Sequence, residues 1–194
     1  MSWQFEKVAG TYKGPTVGVA WDGDALYCTT IVDGQIFRMD ASGTTTEFRR
    51  YQRRVTGIGF APDGDFFGCQ EGSRRIVQFM KDGSTRTTAS FFDGRIHNYP
   101  NDLCVDKSGR VWFSDAYHPV PSLGIYRPPL DHASVLRLER DHNKAWRLVR
   151  VTEDTSAPRA VLLSADEKTL YLSHGEAGGR QHCELRAYPV LSDG

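Results

Sequence analysis

The chain has 194 residues, 39% of them hydrophobic and 25% charged, and its 24 acidic and 24 basic side chains cancel. That balance belongs to an ordinary globular chain and lacks the basic excess with which nucleic-acid binders neutralise phosphates. The densest basic run, Arg49-Arg50 with Arg53-Arg54, falls in a connection between strand signals and reads as a solvated stretch, so no nucleic-acid partner is expected.

The N-terminus, Met1 to Lys7, has no apolar core of signal-peptide length, and no later run approaches a membrane span. A cytoplasmic location without membrane contact is expected. Residues Gln4 to Val8 alternate polar and apolar, which predicts a short strand able to clasp the far end of the fold. From Val17 to Leu26 two apolar runs flank Asp22-Gly23, whose glycine can take the positive φ that closes a hairpin, and further runs follow at Gln35–Met39 and Thr45–Phe48. The pattern then repeats. Thr56 to Phe66 turns at Asp63-Gly64, with runs at Arg75–Phe79 and Thr85–Phe91 after it. Asn101 to Val111 turns at Asp106-Lys107-Ser108-Gly109, with runs at Ser134–Leu138 and Trp146–Val151. Arg159 to Leu170 turns at Asp166-Glu167, with a run at Glu184–Val190.

The turns recur at intervals of 41, 45 and 58 residues, the last swollen by an insertion around Pro119 to Arg127. Units of three or four short strands at such a period are the signature of propeller blades. The expected fold is therefore all-β, a single β-propeller domain with blades near 12–50, 51–92, 98–151 and 155–194. Its inner strands are expected at Val17–Ala20, Thr56–Phe60, Asn101–Val105 and Arg159–Leu163. Four units are fewer than the six this repeat type commonly forms, so the expectation is an incomplete ring that self-associates through open blade edges.

Cys28, Cys69, Cys104 and Cys183 lie far apart and mostly inside apolar runs, as reduced core residues do. His174, Glu176, His182 and Cys183 fit no closed zinc pattern, no Gly-x-Ser-x-Gly elbow occurs, and Gly175 to Gly179 lacks the lysine of a phosphate loop.

Asn101-Asp102 with Gly109 to Asp115, then Ser164 to Tyr171 and Glu184 to Tyr188, resemble the SMP-30/gluconolactonase family, as do Gly34 to Asp40 and Gly72 to Ile76. The resemblance implies a propeller of the six-bladed type that holds a divalent cation, usually calcium, at the channel mouth and hydrolyses lactones such as aldonolactones. It implies ligands from a first-blade Glu, Asn residues of the third and fourth blades, and an Asp of the fifth. Here Val17, or Lys13 under a local slide of the match, stands at the Glu position. Asn101 matches the third-blade asparagine, Arg159 replaces the fourth-blade one, and the fifth-blade position lies beyond Gly194. Asn101 is accordingly the metal candidate and, with Arg159, a substrate-binding candidate. Asp115 and His174 end second strands beside Gln70 and Thr29, and are expected on the same rim. Asn101 also reads as a turn cap and Asp115 as an acceptor of backbone amides from the neighbouring blade. His118 opens the insertion, where a pocket or lid residue is expected. The partner implied is a small-molecule lactone or sugar acid. A lactone hydrolase, a non-catalytic sugar-acid-binding or protein-interaction propeller with a degenerate metal site, and a fragment without a working site stay open as alternatives.

Overall fold

A computed structural model of the chain describes residues 3–50, 54–117, 130–175 and 183–192. Strands β1 (Thr16–Trp21), β2 (Leu26–Thr30), β3 (Gln35–Met39) and β4 (Thr45–Arg49) form one antiparallel sheet in sequence order. β5 (Val55–Phe60), β6 (Phe66–Gln70), β7 (Arg75–Phe79) and β8 (Thr85–Thr87) form the second, and β9 (Phe91–Phe92) with β10 (Arg95–Ile96) a small hairpin. β11 (Tyr99–Val105), β12 (Val111–Ala116), β13 (Ser134–Arg140) and β14 (Trp146–Arg150) form the third; β15 (Pro158–Leu163), β16 (Thr169–His174) and β17 (Glu184–Pro189) form the fourth. Among the described residues the helical content is one 3-10 turn, Glu71–Ser73. Strands β1, β5, β11 and β15 pack side by side in that order, and the sheets are consecutive blades of a β-propeller.

The hairpin turns form because an aspartate folds its carboxylate over the next backbone amides while a following residue takes positive φ. Asp22 Oδ1 accepts from the Asp24 and Ala25 amides at 2.8 and 2.7 Å, and Asp106 Oδ1 from Ser108 and Arg110 at 3.0 and 2.9 Å. Gly23 and Gly109 supply φ of 101° and 78°. In the fourth blade Glu167 holds that conformation at 60°, and its Oε1 accepts the Lys107 amide of the third blade at 2.8 Å.

Each inner strand slips register near its entry, between Thr16 and Val19, Val55 and Ile58, Pro100 and Leu103, and Pro158 and Val161. A short second-strand side chain takes up an amide inside each slip. Thr29 Oγ1 accepts from Gly18 at 2.8 Å, Ser114 Oγ from Asp102 at 3.1 Å and Ser173 Oγ from Ala160 at 2.9 Å, and Cys69 accepts from Gly57. Two of these hydroxyls pass the bond onward to the next blade: Thr29 donates to the Thr56 carbonyl at 2.9 Å, and Ser114 to the Arg159 carbonyl.

The cores lie between blades. Tyr27, Ile36, Val55, Ile58, Phe66 and Phe79 fill the first joint; Phe67, Ile76, Leu103, Phe113, Leu136 and Leu138 the second; Trp112, Val135, Val161 and Leu172 the third. A fully buried side chain such as Phe113 contributes about 1.5–3 kcal/mol. Strands β6 and β12, with a blade on either side, are buried along their whole length; β2 and β16, with one packed face, alternate. Val17, Val19 and Trp21 on the first blade and Leu162, Tyr171 and Leu185 on the last are exposed.

Three expectations need correcting. Residues 4–8 form no strand: they find no partner strand among the described residues, and Trp3, Phe5 and Val8 are exposed. The run expected over Thr85–Phe91 ends at Thr87, because Asp93-Gly94, both at positive φ, close the β9–β10 hairpin instead. Cys183 is exposed rather than in the core, whereas Cys69 is buried and Cys28 and Cys104 are half-buried; all four are free thiols. The Pro119 to Arg127 insertion lies outside the described residues. No helix among the described residues is long and apolar enough to cross a membrane.

Candidate functional site

Because the four inner strands enter from one end in the same pleat phase, residues at equivalent positions face one space. A cavity of about 480 Å³ there is lined by Val17, Thr56, Asn101 and Arg159, with Gly57, Asp102, Arg54 and Glu71. Lys13, the alternative match to the first-blade position, lies outside this lining and stands 3.9 Å from Asp33.

Close packing fixes the walls. A Cβ on Gly57 would come within 2.7 Å of Asp102 Cα and 2.8 Å of the Leu103 amide, and one on Gly18 within 2.1 Å of the Thr56 carbonyl. Asp102 is held in turn: its Oδ2 accepts the Val161 amide at 3.1 Å. Burial raises the Asp102 pKa above the usual carboxylate range, only partly opposed by the amides of Val161 and Leu103. Arg159 donates Nε to the Gly175 carbonyl at 3.3 Å, which ties the side chain to the end of β16.

Asp102, next to Asn101, was not among the sequence candidates, and two further residues of the cavity were not anticipated by repeat register. Glu71 follows the last residue of β6 on the 3-10 turn and is buried, and its Oε2 meets Arg54 Nε at 2.8 Å. Arg54, at φ of 58°, starts the approach to β5. Register compares only inner-strand entries, and these residues arrive from just outside them. An acid directly preceding the glycine after Gln70 was the available signal.

The other sequence candidates among the described residues do not line this cavity. Asp115 stands opposite Pro100, is fully buried, and accepts the Asn98 amide at 2.7 Å while its other oxygen meets His97 Nδ1 at 2.9 Å. It braces the entry to β11, accepting an amide of its own blade rather than one of the neighbouring blade. His174 Nε2 accepts from the Ser156 and Ala157 amides at 3.0 and 3.2 Å. Burial, helped by the Arg186 charge, lowers its pKa. Gln70 accepts from Arg75 at 2.8 Å, and Thr29 forms the relay to the second blade. His118, Glu176 and His182 lie outside the described residues.

A calcium ion needs a shell of oxygen ligands, several of them anionic. Among the described residues no three His, Cys, Asp or Glu side chains converge for a metal. In the mouth, Glu71 is engaged by Arg54, Asp102 by the Val161 amide, and two guanidinium groups share the space. These residues do not fit a divalent cation. They suit a carbonyl or carboxylate oxygen, to which a guanidinium donates charge-assisted hydrogen bonds.

Residues 15–188 match the model of the SMP-30/gluconolactonase/LRE-like region. A gluconolactonase of Zymomonas mobilis is 32% identical over 142 residues, which are 71% of this chain and 37% of that protein. A lactonohydrolase of Aspergillus oryzae is 30% identical over 98 residues, 50% of this chain and 21% of that protein. The solved structure of a gluconolactonase from Xanthomonas campestris superposes with a TM-score of 0.76 at 26% identity, covering 90% of this chain and 57% of that one. The chain therefore spans well under two thirds of each of these relatives.

Proposed function

Since the chain belongs to the SMP-30/gluconolactonase/LRE-like family, we propose that it carries part of a lactone hydrolase whose reaction is centred on the mouth cavity. What supports the reading is one observation: Asn101, Asp102 and Arg159 line a single cavity. In this scheme the lactone carbonyl oxygen accepts hydrogen bonds from the Asn101 amide and the Arg159 guanidinium. Their polarity matches the negative charge that develops on that oxygen when water attacks. Asp102, whose proton affinity is raised by burial, takes the proton of the attacking water. Collapse of the tetrahedral intermediate breaks the ring C–O bond, and Asp102 returns the proton to the departing alkoxide. The product is a hydroxy acid, which releases its carboxyl proton to water and pairs as a carboxylate with Arg159 or Arg54. No step is routed through a cation, because the described donor set does not suit one. A reducing cytoplasmic setting would suit the four free thiols.

A second reading, binding of a sugar acid without turnover, is favoured by Val17 at the first-blade position and by the two guanidiniums in the mouth. The two are separated by following acid release from an aldonolactone alongside calorimetric titration of the corresponding acid. A hydrolase should lose about 100-fold in rate on Asp102→Asn and keep its rate in excess chelator. Acid binding without lactone turnover would leave the second reading standing. Neither turnover nor binding would sink both.

A further inference from the structure

At the opposite ends of the strands lies a second cavity, of about 710 Å³, between the second and third blades. The β5–β6 turn at Asp63 and Asp65, the β11–β12 turn, and the facing ends of β13 and β14 bound it. A six-residue strand separates it from the mouth by roughly 20 Å.

Arg137 lines this cavity although it is only 5% exposed. Its guanidinium lies 5.1 Å from the centre of the buried Trp112 ring, and its Nε donates to Glu139 Oε2 at 2.7 Å. Its Nη1 is buried and, among the described residues, has no hydrogen-bond partner. A buried guanidinium N–H is costly to leave open, and such groups normally meet an oxygen. Glu139 does not meet it: Oε2 takes the Arg137 Nε proton and Oε1 the Arg147 guanidinium. The group Arg137–Glu139–Arg147 therefore keeps one net positive charge at the cavity wall. Arg140 adds a guanidinium stacked 3.8 Å from the centre of the Trp146 ring, with Nη1 on the Lys144 carbonyl at 2.8 Å. Across the space, the carboxylates of Asp63 and Asp65 repel an anion but accept hydrogen bonds from hydroxyl groups.

We infer that this cavity binds a small hydroxylated oxyanion. Its carboxylate or phosphate takes the open N–H of Arg137 beside Arg147, and its hydroxyls turn toward Asp63 and Asp65. The site stands independently of the lactone reading, since it shares no residue with the mouth.

Two probes test it on the full 194-residue chain: inorganic phosphate, which brings the anion alone, and glycerate, which brings a carboxylate with hydroxyls. Binding is read by calorimetry and by the emission of Trp146 and Trp112. Saturable binding of either probe is expected, and which one binds tells phosphate from carboxylate. Affinity should fall about tenfold or more in Arg137→Gln and about threefold or more in Arg147→Ala. Arg159→Gln, at the mouth, should leave it unchanged. No saturable signal with either probe overturns the inference. So does equal affinity in Arg147→Ala, or loss of binding in Arg159→Gln, which would place the probe at the mouth. If Arg137→Gln fails to fold, the half-exposed Arg147 still decides, because its removal leaves the core untouched.

Discussion

Replacing Ser114 with alanine should strike the fold and the mouth together. The Ser114 hydroxyl is fully buried, accepts the Asp102 amide at 3.1 Å, and donates to the carbonyl of Arg159 in the next blade. Alanine removes both partners at once and brings no replacement. Each backbone group left without a partner costs about 1–3 kcal/mol, so the pair costs about 2–6 kcal/mol, the low end applying if the strands relax. For a domain of this length 1 kcal/mol moves Tm by roughly 2–4 °C, which puts the expected fall at roughly 4–24 °C. The freed groups belong to Arg159 itself and to the neighbour of Asn101, so affinity for a lactone or sugar acid should drop as well. Ser114→Thr should keep most of the stability, because Thr29 makes the equivalent pair of bonds in the first blade. Thermal unfolding by circular dichroism, with calorimetric titration of ligand, measures both effects. Melting of Ser114→Ala within about 1 °C of the parent would refute the reasoning, as would Ser114→Thr falling just as far.

Burial raises the folded pKa of Asp102 above its unfolded value, so its protonated form favours folding. That contribution is present below the unfolded carboxylate pKa and is lost as pH rises through the raised folded one. Asp102→Asn should therefore raise Tm at neutral pH and change it little in acid; a melting curve equally shifted at both pH values would contradict the assignment. Restoring two ligands that the family resemblance implies and removing a fixed positive charge, Val17→Glu with Arg159→Asn should raise calcium affinity by calorimetry and weaken any anionic ligand. Unchanged calcium binding in the double variant would argue that these positions are not the ones that matter. The exposed Trp21 shares its strand with exposed Val17 and Val19, and the exposed Leu185 shares its blade with exposed Leu162 and Tyr171, so the chain should self-associate, and Trp21→Ser with Leu185→Ser should lower the mass seen by light scattering. A concentration-independent monomer before substitution would count against it.

The strands were legible where two local signals agreed, an aspartate-led turn and an apolar run on each side, as around Asp22-Gly23 and Asp106 to Gly109. They were misjudged where one signal stood alone. Gln4 to Val8 has alternation without a partner among the described residues, and a strand's hydrogen bonds are made elsewhere in the chain. The turn dipeptide Asp93-Gly94 lies between Phe91-Phe92 and Arg95-Ile96, and it outweighs the apolar run that predicts a strand up to Phe91. Repeat register named Val17, Asn101 and Arg159, because one pleat phase governs every inner strand. It was blind to Glu71 and Arg54, whose presence in the cavity depends on how a 3-10 turn and a left-handed residue swing beside the entry. Burial of Asp115 depends on the Asn98 amide and the His97 ring, a three-dimensional contact that spacing does not encode.

The contacts around Gly18 and Gly57 have an evolutionary consequence. At the second of each pair of inner-strand positions the neighbouring blade leaves no room for a side chain, as at Gly18 and Gly57, or holds the one present, as at Asp102. One residue earlier, Val17, Thr56, Asn101 and Arg159 border open space. Mutational tolerance should therefore alternate along the inner strands, with one position frozen by its neighbour and the one before it free to drift. A rim built this way can exchange a carboxylate for valine, or an amide for guanidinium, without disturbing the joint beneath. The family's chemistry can then diversify, or lapse, while its architecture stays put.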